Sequence, residues 1–560
     1  SPLSAAERPR LVVVVSVDQL CYEYLVRFRG GFAADGLFLR VEKEGASFVN
    51  CHHRHAFTVT APGHAVQLSG AYPDTNAVIG NSWFDRVSGK TIYCVADPEE
   101  DLVGPPPPVK TTEATPTPET KPADAKEKEK EEEDPTGISP RNLAVDTVGD
   151  VLKLATGGKA KVFGVAFKDR AAVLMTGHRA DAAYWFHGKS GRWVTSTYYA
   201  KELPGYMRAI NEGNSISQYA GQEWKLLLNS AAYQHYYPDD YPEERDPEGL
   251  GKAFPHKFAL ASDPKLSKQV LNSPFGNEVT LYAAGQVLVH EELGQDDVPD
   301  ILAINLSSND YVGHSFGPHS LEVQDLTYRT DRQLGEFLRF VEKQLAGKPW
   351  VLALTADHGV APLVQYAKER GLPAARNPLG DLKVLQAKLE AHLRSELKAR
   401  ETDKTDKPLV QKLSENQVYL QQDHPALAGE SFLLAQRITR DFLLRESAVV
   451  AAVTREQLLA GGGEGKLNAQ FRRAFHPRRS GDVLFVMAPY MVPGTSCTTH
   501  GSPWQYDTHV PLLLLGPSIK PGRYERPTSP AALAATLSRL LEIESPSAAV
   551  EEPLVEAIKR

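Results

Sequence analysis

Short apolar runs rich in β-branched residues punctuate the chain: LVVVVSV at 11–17, AKVFGVAF at 160–167, DILAINL at 300–306, WVLALTA at 350–356, DVLFVMA at 482–488 and VPLLLLG at 510–516. They lack the apolar and polar alternation of a half-exposed antiparallel strand, so all of them read as central strands covered on both faces. Between the third and fourth runs, Leu334, Phe337, Leu338, Val341 and Leu345 recur at helical spacing and predict a covering helix. A second helix is predicted in SPRNLAVDTVGDVLKLA, with Ser139 as cap and Pro140 in the first turn, and a third in SPAALAATLSRLLEI near the C-terminus. Strand and helix in alternation predict an α/β fold: a mostly parallel central sheet with helices on both faces, carrying inserted cap segments.

The pattern weakens in two long stretches, 200–295 and 362–480, which read as a cap or side insertion and as a second insertion or subdomain framing the strand ends. Residues 101–136 include PPPPVKTTEATPTPETKPADAKEKEKEEED, a proline and charge run with little to bury, and read as a low-complexity inserted loop. The core is therefore assigned to 11–100, 137–360 and 481–560.

Composition removes several function classes. A chain of 560 residues is long enough for a large core. Its formal net charge of -8, with no basic block interleaved with aromatics, argues against nucleic-acid binding as the main role. No apolar run approaches the roughly 20 residues of a membrane-spanning helix. The opening SPLSAAERPR has neither Met nor a basic, apolar leader and reads as a removed leader or a trimmed start. Cys21, Cys51, Cys94 and Cys497 lack C-x-x-C spacing, which argues against a thiolate zinc site or a thioredoxin-type pair and leaves room for one or two disulfides.

Candidate chemistry clusters where strands end. Asp18 follows the first run, Asp310 the third, and Asp357 with His358 the fourth, and in a parallel sheet such ends converge. One aspartate after a strand is ordinarily a turn or cap residue, but three at once point to a site. NDYVGHSFGPH sets Asp310 and His314 four apart, on one face of a helical turn. CTTHGSPWQYDTHVP adds His500 and His509. Three carboxylates with three or four imidazoles make a ligand set for two divalent ions, zinc first. Thr60 in FTVTAPGHAVQLSG has two readings: a helix N-cap, or a nucleophile at a helix start whose oxygen a metal would activate.

SVDQ, TVTAPGH, IGNSWFD, FKDRAAVLMTGH, DYVGHSFGP, TADHG and THGSPWQYDTHVP, in that order, resemble the alkaline phosphatase superfamily. The chain is most similar to its bacterial threonine-nucleophile alkaline phosphatases, which are related to the type I phosphodiesterase/nucleotide pyrophosphatases. The resemblance covers 11–360 and about 481–543, not the insertions. It implies one zinc held by Asp18, Asp357, His358 and the Thr60 oxygen, and a second held by Asp310, His314 and His500. His500 is preferred to His509 because the ligand stands in a histidine–glycine pair. It further implies that Thr60 is the nucleophile and that Asn81, Lys168 and Arg170 contact the phosphoryl group of small phosphate monoesters. The implied location is periplasmic or secreted. His52, His53 and His55 are left as structural or surface residues, and His64 as support for the turn.

The lysine and arginine of FKDR favour a monoesterase, because a monoester dianion offers one more charged oxygen than a diester and diesterase relatives generally lack the pair. A phosphodiesterase or nucleotide pyrophosphatase is the alternative enzyme, and a silent binding module that kept the fold the alternative class. A sulfatase is disfavoured, since TAPGH holds neither the Cys or Ser precursor nor the arginine of that family's motif.

Overall fold

The computed structural model describes residues 8–104, 137–188, 190–398, 405, 407–414 and 416–559. Most of the low-complexity loop, 105–136, lies outside them. The large sheet is built from β1 (Leu11–Val17), β2 (Ala46–Phe48), β3 (Leu102–Val103), β4 (Val162–Ala166), β5 (Ala182–His187), β6 (Arg192–Ser196), β7 (Asp300–Leu306), β8 (Trp350–Thr355), β9 (Leu512–Leu515) and β10 (Gly522–Tyr524). Their spatial order is β10-β2-β9-β8-β1-β7-β4-β5-β6-β3. From β8 through β1, β7 and β4 to β5 every pairing is parallel, whereas β9 runs antiparallel to β8 and β2, and β6 antiparallel to β5 and β3. The sheet is thus mixed: a parallel middle, antiparallel pairings to either side of it, and a parallel β2–β10 pair at one edge.

The Val-rich sequence of β1 explains its central place. Every one of its residues is buried, as a strand covered on both faces requires. The covering helices are α1 (Thr60–Ser69), α2 (Val148–Ala155), α3 (Asp169–Thr176), α4 (Pro274–His290), α5 (Ser308–Phe316), α6 (Leu321–Leu345) and α7 (Ala532–Leu541). α1, α2, α3 and α7 pack among themselves as one group, and α4 with α6 as another. Among the described residues no helix is long and apolar enough to cross a membrane.

Two sequence expectations need correction. The run at 482–488 is a strand, Val483–Met487, but it lies outside the large sheet, in a separate four-stranded sheet with Val410–Leu413, Gln417–Leu420 and Val449–Thr454. Val483 and Phe485 face Leu385 and Leu389, while Leu484 and Val486 face Phe57 and Phe471. Burial on both sides gave it the pattern of a central strand.

The second correction concerns a helix start. α2 begins at Val148, where Thr147 and Asp150 form a capping box. Ser139 instead donates to Asp97 Oδ2 at 2.6 Å, and Ile138 bridges to Ala96. The four cysteines are buried free thiols, so the room left for disulfides is unused.

Candidate active site

Four neighbouring parallel strands deliver the polar groups. β8 runs into Asp357 and His358, β1 into Asp18, β7 into α5 with Asp310 and His314, and β4 into Lys168 and Arg170 at the start of α3. Their shared direction puts all of these at one edge of the sheet.

α1 starts beside them. Its N-cap is Val59, whose own side chain makes no capping bond, so Thr60 is the first helical residue and the N-cap reading does not describe it. Asn81 occupies the helix tip instead: its Oδ1 accepts from Ala61 N at 2.9 Å. One turn on, a Cβ at Gly63 would run into the Asp357 carbonyl, which explains the glycine. His64 Nδ1 lies 2.8 Å from the Thr60 carbonyl oxygen and 3.4 Å from Asp357 Oδ2, fastening the turn to the β8 end.

The donor atoms fall into overlapping groups, each within 4.8 Å: Asp310, His314 and His500; Asp18, Asp310 and His358; Asp18, His64 and Asp357. His500 arrives from a distant loop, held by its Nδ1 at 2.9 Å from the Thr58 carbonyl, and its ring stacks on His358 with centroids 3.5 Å apart. Asp310 Oδ1 is 3.2 Å from His314 Nε2 and 3.7 Å from His500 Nε2. His358 Nε2 is 3.2 Å from Asp357 Oδ2 and 3.6 Å from Asp18 Oδ1. Yet Asp18 Oδ1, Asp357 Oδ2 and His358 Nε2 are all buried without a hydrogen-bond partner among the described residues. Buried, convergent and unsatisfied carboxylate and imidazole atoms are the donor chemistry of a divalent cation, so the residues fit a metal centre.

Electrostatics agree. Burial, followed by the charge of Asp357, pushes the Asp18 carboxyl well above the usual range. Burial would lower His358, but the adjacent Asp357 carboxylate raises it to about 9. Burial opposes ionisation of Asp310 too, and the Lys168 ammonium overrides it, holding that carboxyl low. Lys168 Nζ stands 2.6 Å from Asp310 Oδ2 and 3.0 Å from Asp18 Oδ2, an ammonium shared between the carboxylate that follows β1 and the one on α5. Arg170 is engaged through Nη1 with Tyr93 Oη at 3.2 Å, while its Nε is buried without a partner among the described residues.

Sequence reasoning missed several groups. Gln19 donates its backbone N–H to Asp357 Oδ1 at 3.1 Å and its Nε2 to Asp310 Oδ1 at 2.6 Å. Asn305 Nδ2 lies 2.9 Å from His64 Nε2 and 3.5 Å from Asp18 Oδ2. His64 was expected only to support its turn; its contacts with Asp357 and Asn305 reach the cluster itself. The signal for Gln19 was its place directly after the first strand-end aspartate. His509 lies away from the cluster, stacked on Tyr22 and His52 with Nε2 at 2.9 Å from the Val49 carbonyl. His53 Nε2 is 3.0 Å from the Ala356 carbonyl, and His55 packs edge-on against His53.

A mixed α/β sheet with this cluster at its strand ends defines the class: hydrolases of the alkaline phosphatase superfamily. The chain belongs to the type I phosphodiesterase / nucleotide pyrophosphatase family, which it matches over residues 12–427. It is 31% identical over 557 residues to alkaline phosphatase PhoV of Synechococcus elongatus, covering 99% of this chain and 93% of that one. It is 32% identical over 572 residues to alkaline phosphatase PafA of Elizabethkingia meningoseptica, covering 100% and 96%. A crystal structure of wild-type PafA superposes with a TM-score of 0.83 at 30% identity, covering 99% of each chain.

Proposed function

We propose that this chain is a two-zinc alkaline phosphatase that hydrolyses small phosphate monoesters of broad range through a covalent phosphothreonine at Thr60. Asp18, Asp357, His358 and the Thr60 oxygen would hold one zinc, and Asp310, His314 and His500 the other. The observation that carries this reading is the set of buried atoms on Asp18, Asp357 and His358 that have no hydrogen-bond partner among the described residues, joined to the Thr60 turn by His64, whose Nδ1 lies near both the Thr60 carbonyl and Asp357 Oδ2. When bound, the two zinc ions supply Lewis-acid charge that favours an alkoxide over an alcohol and neutralises the phosphoryl and leaving oxygens.

The residues do the rest. Thr60 Oγ attacks phosphorus in line, the new O–P bond forms as the bond to the leaving alkoxide breaks, and phosphothreonine results. Water then attacks the same phosphorus from the vacated side and releases inorganic phosphate, so two inversions give net retention. The transition state is loose, which makes positioning and charge neutralisation the main tasks. Asn81 braces the turn through Ala61 and keeps its Nδ2 to donate to a phosphoryl oxygen. Lys168 supplies a point charge and Arg170 a planar fork for the remaining oxygens of a dianion.

Thr60→Ala is expected to abolish monoester turnover while zinc content stays at the wild-type level; normal turnover would remove Thr60 from this role. The family description also favours a second reading, a phosphodiesterase or nucleotide pyrophosphatase. Lys168→Ala combined with Arg170→Ala separates the two. Aryl phosphate turnover is expected to fall at least about a hundredfold, with a much smaller loss on the methyl aryl diester. Equal losses would show that the pair is structural.

A further inference from the structure

The two donors proposed for the phosphoryl group outside the metal cluster, Asn81 and Arg170, stand on different elements, yet one hairpin reaches both. Its strands, Ser82–Asp85 and Lys90–Tyr93, pair antiparallel with Ser82 opposite Tyr93, and Cys94 N donates to the Asn81 carbonyl at 2.9 Å. Asn81 and Tyr93 are therefore neighbours at the open end of the hairpin. Trp83 and Cys94 there share one buried apolar cluster with Ala65 of α1 and Ala171 of α3, the two helices that start at the site.

Half-buried Tyr93 reaches from this end to the start of α3. Its Oη donates to Asp169 Oδ1 at 2.5 Å and accepts from Arg170 Nη1 at 3.2 Å. A phenol has one proton and a guanidinium has no acceptor, so the roles are fixed: the proton goes to the carboxylate and a lone pair to the arginine. Asp169 Oδ1 also accepts from Arg170 N at 2.6 Å, which closes a ring from the Arg170 backbone through Asp169 and Tyr93 to the tip of the same arginine. Burial, followed by the Asp169 charge, keeps the phenol well above its usual range, so the proton stays in place. A long side chain surrenders rotamer freedom when it engages an anion, and a fork already held by one arm has less to lose.

We propose that Tyr93 is a positioning residue for monoester preference, holding the Arg170 fork ready for the charged oxygen that a monoester has and a diester lacks. The inference rests on the role proposed for Arg170 and assigns the aim of that group to a residue 77 positions away. Because a diester offers no such oxygen, loss of the aim should be felt chiefly by monoesters. The hairpin also refers Asn81 and Arg170 to one frame, the first through its backbone and the second through Tyr93 Oη.

The test uses the zinc-loaded full chain carrying Tyr93→Phe, which keeps the ring and removes only Oη. At wild-type zinc content, kcat/KM on an aryl phosphate is expected to fall about tenfold, and that on the methyl aryl diester less than about twofold. In an Arg170→Ala chain the same change is expected to alter monoester kcat/KM less than about twofold, since the partner is already gone. Wild-type kcat/KM on both substrates would overturn the proposal. So would equal losses on both, or a further loss of about tenfold in the Arg170→Ala chain, either of which makes Tyr93 a general support. If Tyr93→Phe does not fold, Asp169→Ala takes its place: it frees the phenol proton from the carboxylate, and an unchanged ratio of monoester to diester kcat/KM overturns the proposal. An Arg170→Ala chain with wild-type monoester turnover would instead remove the role of Arg170 itself, and this inference with it.

Discussion

Gln19 ties the candidate site together at the residue scale. Its φ of 61° is unusual for a side chain other than glycine, and that conformation lets its N–H reach Asp357 while its amide reaches Asp310. A Cβ at Gly313 would collide with Gln19 Oε1, so the helix carrying Asp310 makes room for it. Gln19→Ala is expected to weaken zinc retention about 10–100-fold, measured by zinc content along a chelator series; unchanged retention would reduce Gln19 to a packing role. Gly63→Ala should be equally damaging, because the obstacle there is the Asp357 backbone rather than a flexible side chain. The strand-end acids and the Asp–x–x–x–His pair were legible in the sequence because their residue types and spacing carry the chemistry locally. Gln19 and Asn305 were not, since an amide has no distinctive chemistry until folding brings its partner, 291 and 241 positions away, alongside.

Continuous apolar runs identified the parallel middle of the sheet at the scale of elements, and with it the edge where the site lies. Short strands such as Ala46–Phe48 and Leu102–Val103 carry too few residues to show a period. The strand at 483–487 shows what such a pattern encodes: burial on both faces, not which sheet supplies the neighbours. Ser139–Pro140 had the composition of a helix start, but Thr147 and Asp150 have its hydrogen bonds, each accepting from the other's backbone N–H. Thr147→Ala is expected to cost about 1 kcal/mol in urea unfolding with no change in zinc content, whereas Ser139→Ala should leave α2 intact.

In the whole molecule, the four-stranded sheet leans on the core through two arginines. Arg86 Nη2 pairs with buried Asp482 at 3.0 Å, and Arg479 stacks on Trp83 while Arg479 Nη1 donates to the Asn142 carbonyl at 2.7 Å. Asp482→Ala would strip acceptors from Leu420 N and Arg86 and is expected to cost about 2–3 kcal/mol, visible as faster proteolysis within 362–480. Metal removal should act on the molecule as a whole. Chelation leaves the strand-end carboxylates facing one another in a buried space, so Tm should fall together with activity, and zinc should restore both.

In the proposed reaction Thr60 carries the phosphoryl group between its two halves. This role is tested by acid-quenching the zinc-loaded chain during turnover of an aryl phosphate and sequencing its peptides by mass spectrometry. Phosphate on Thr60, absent from the Thr60→Ala chain, is the expected result. Phosphate on another side chain, or undiminished turnover by Thr60→Ala, would contradict it.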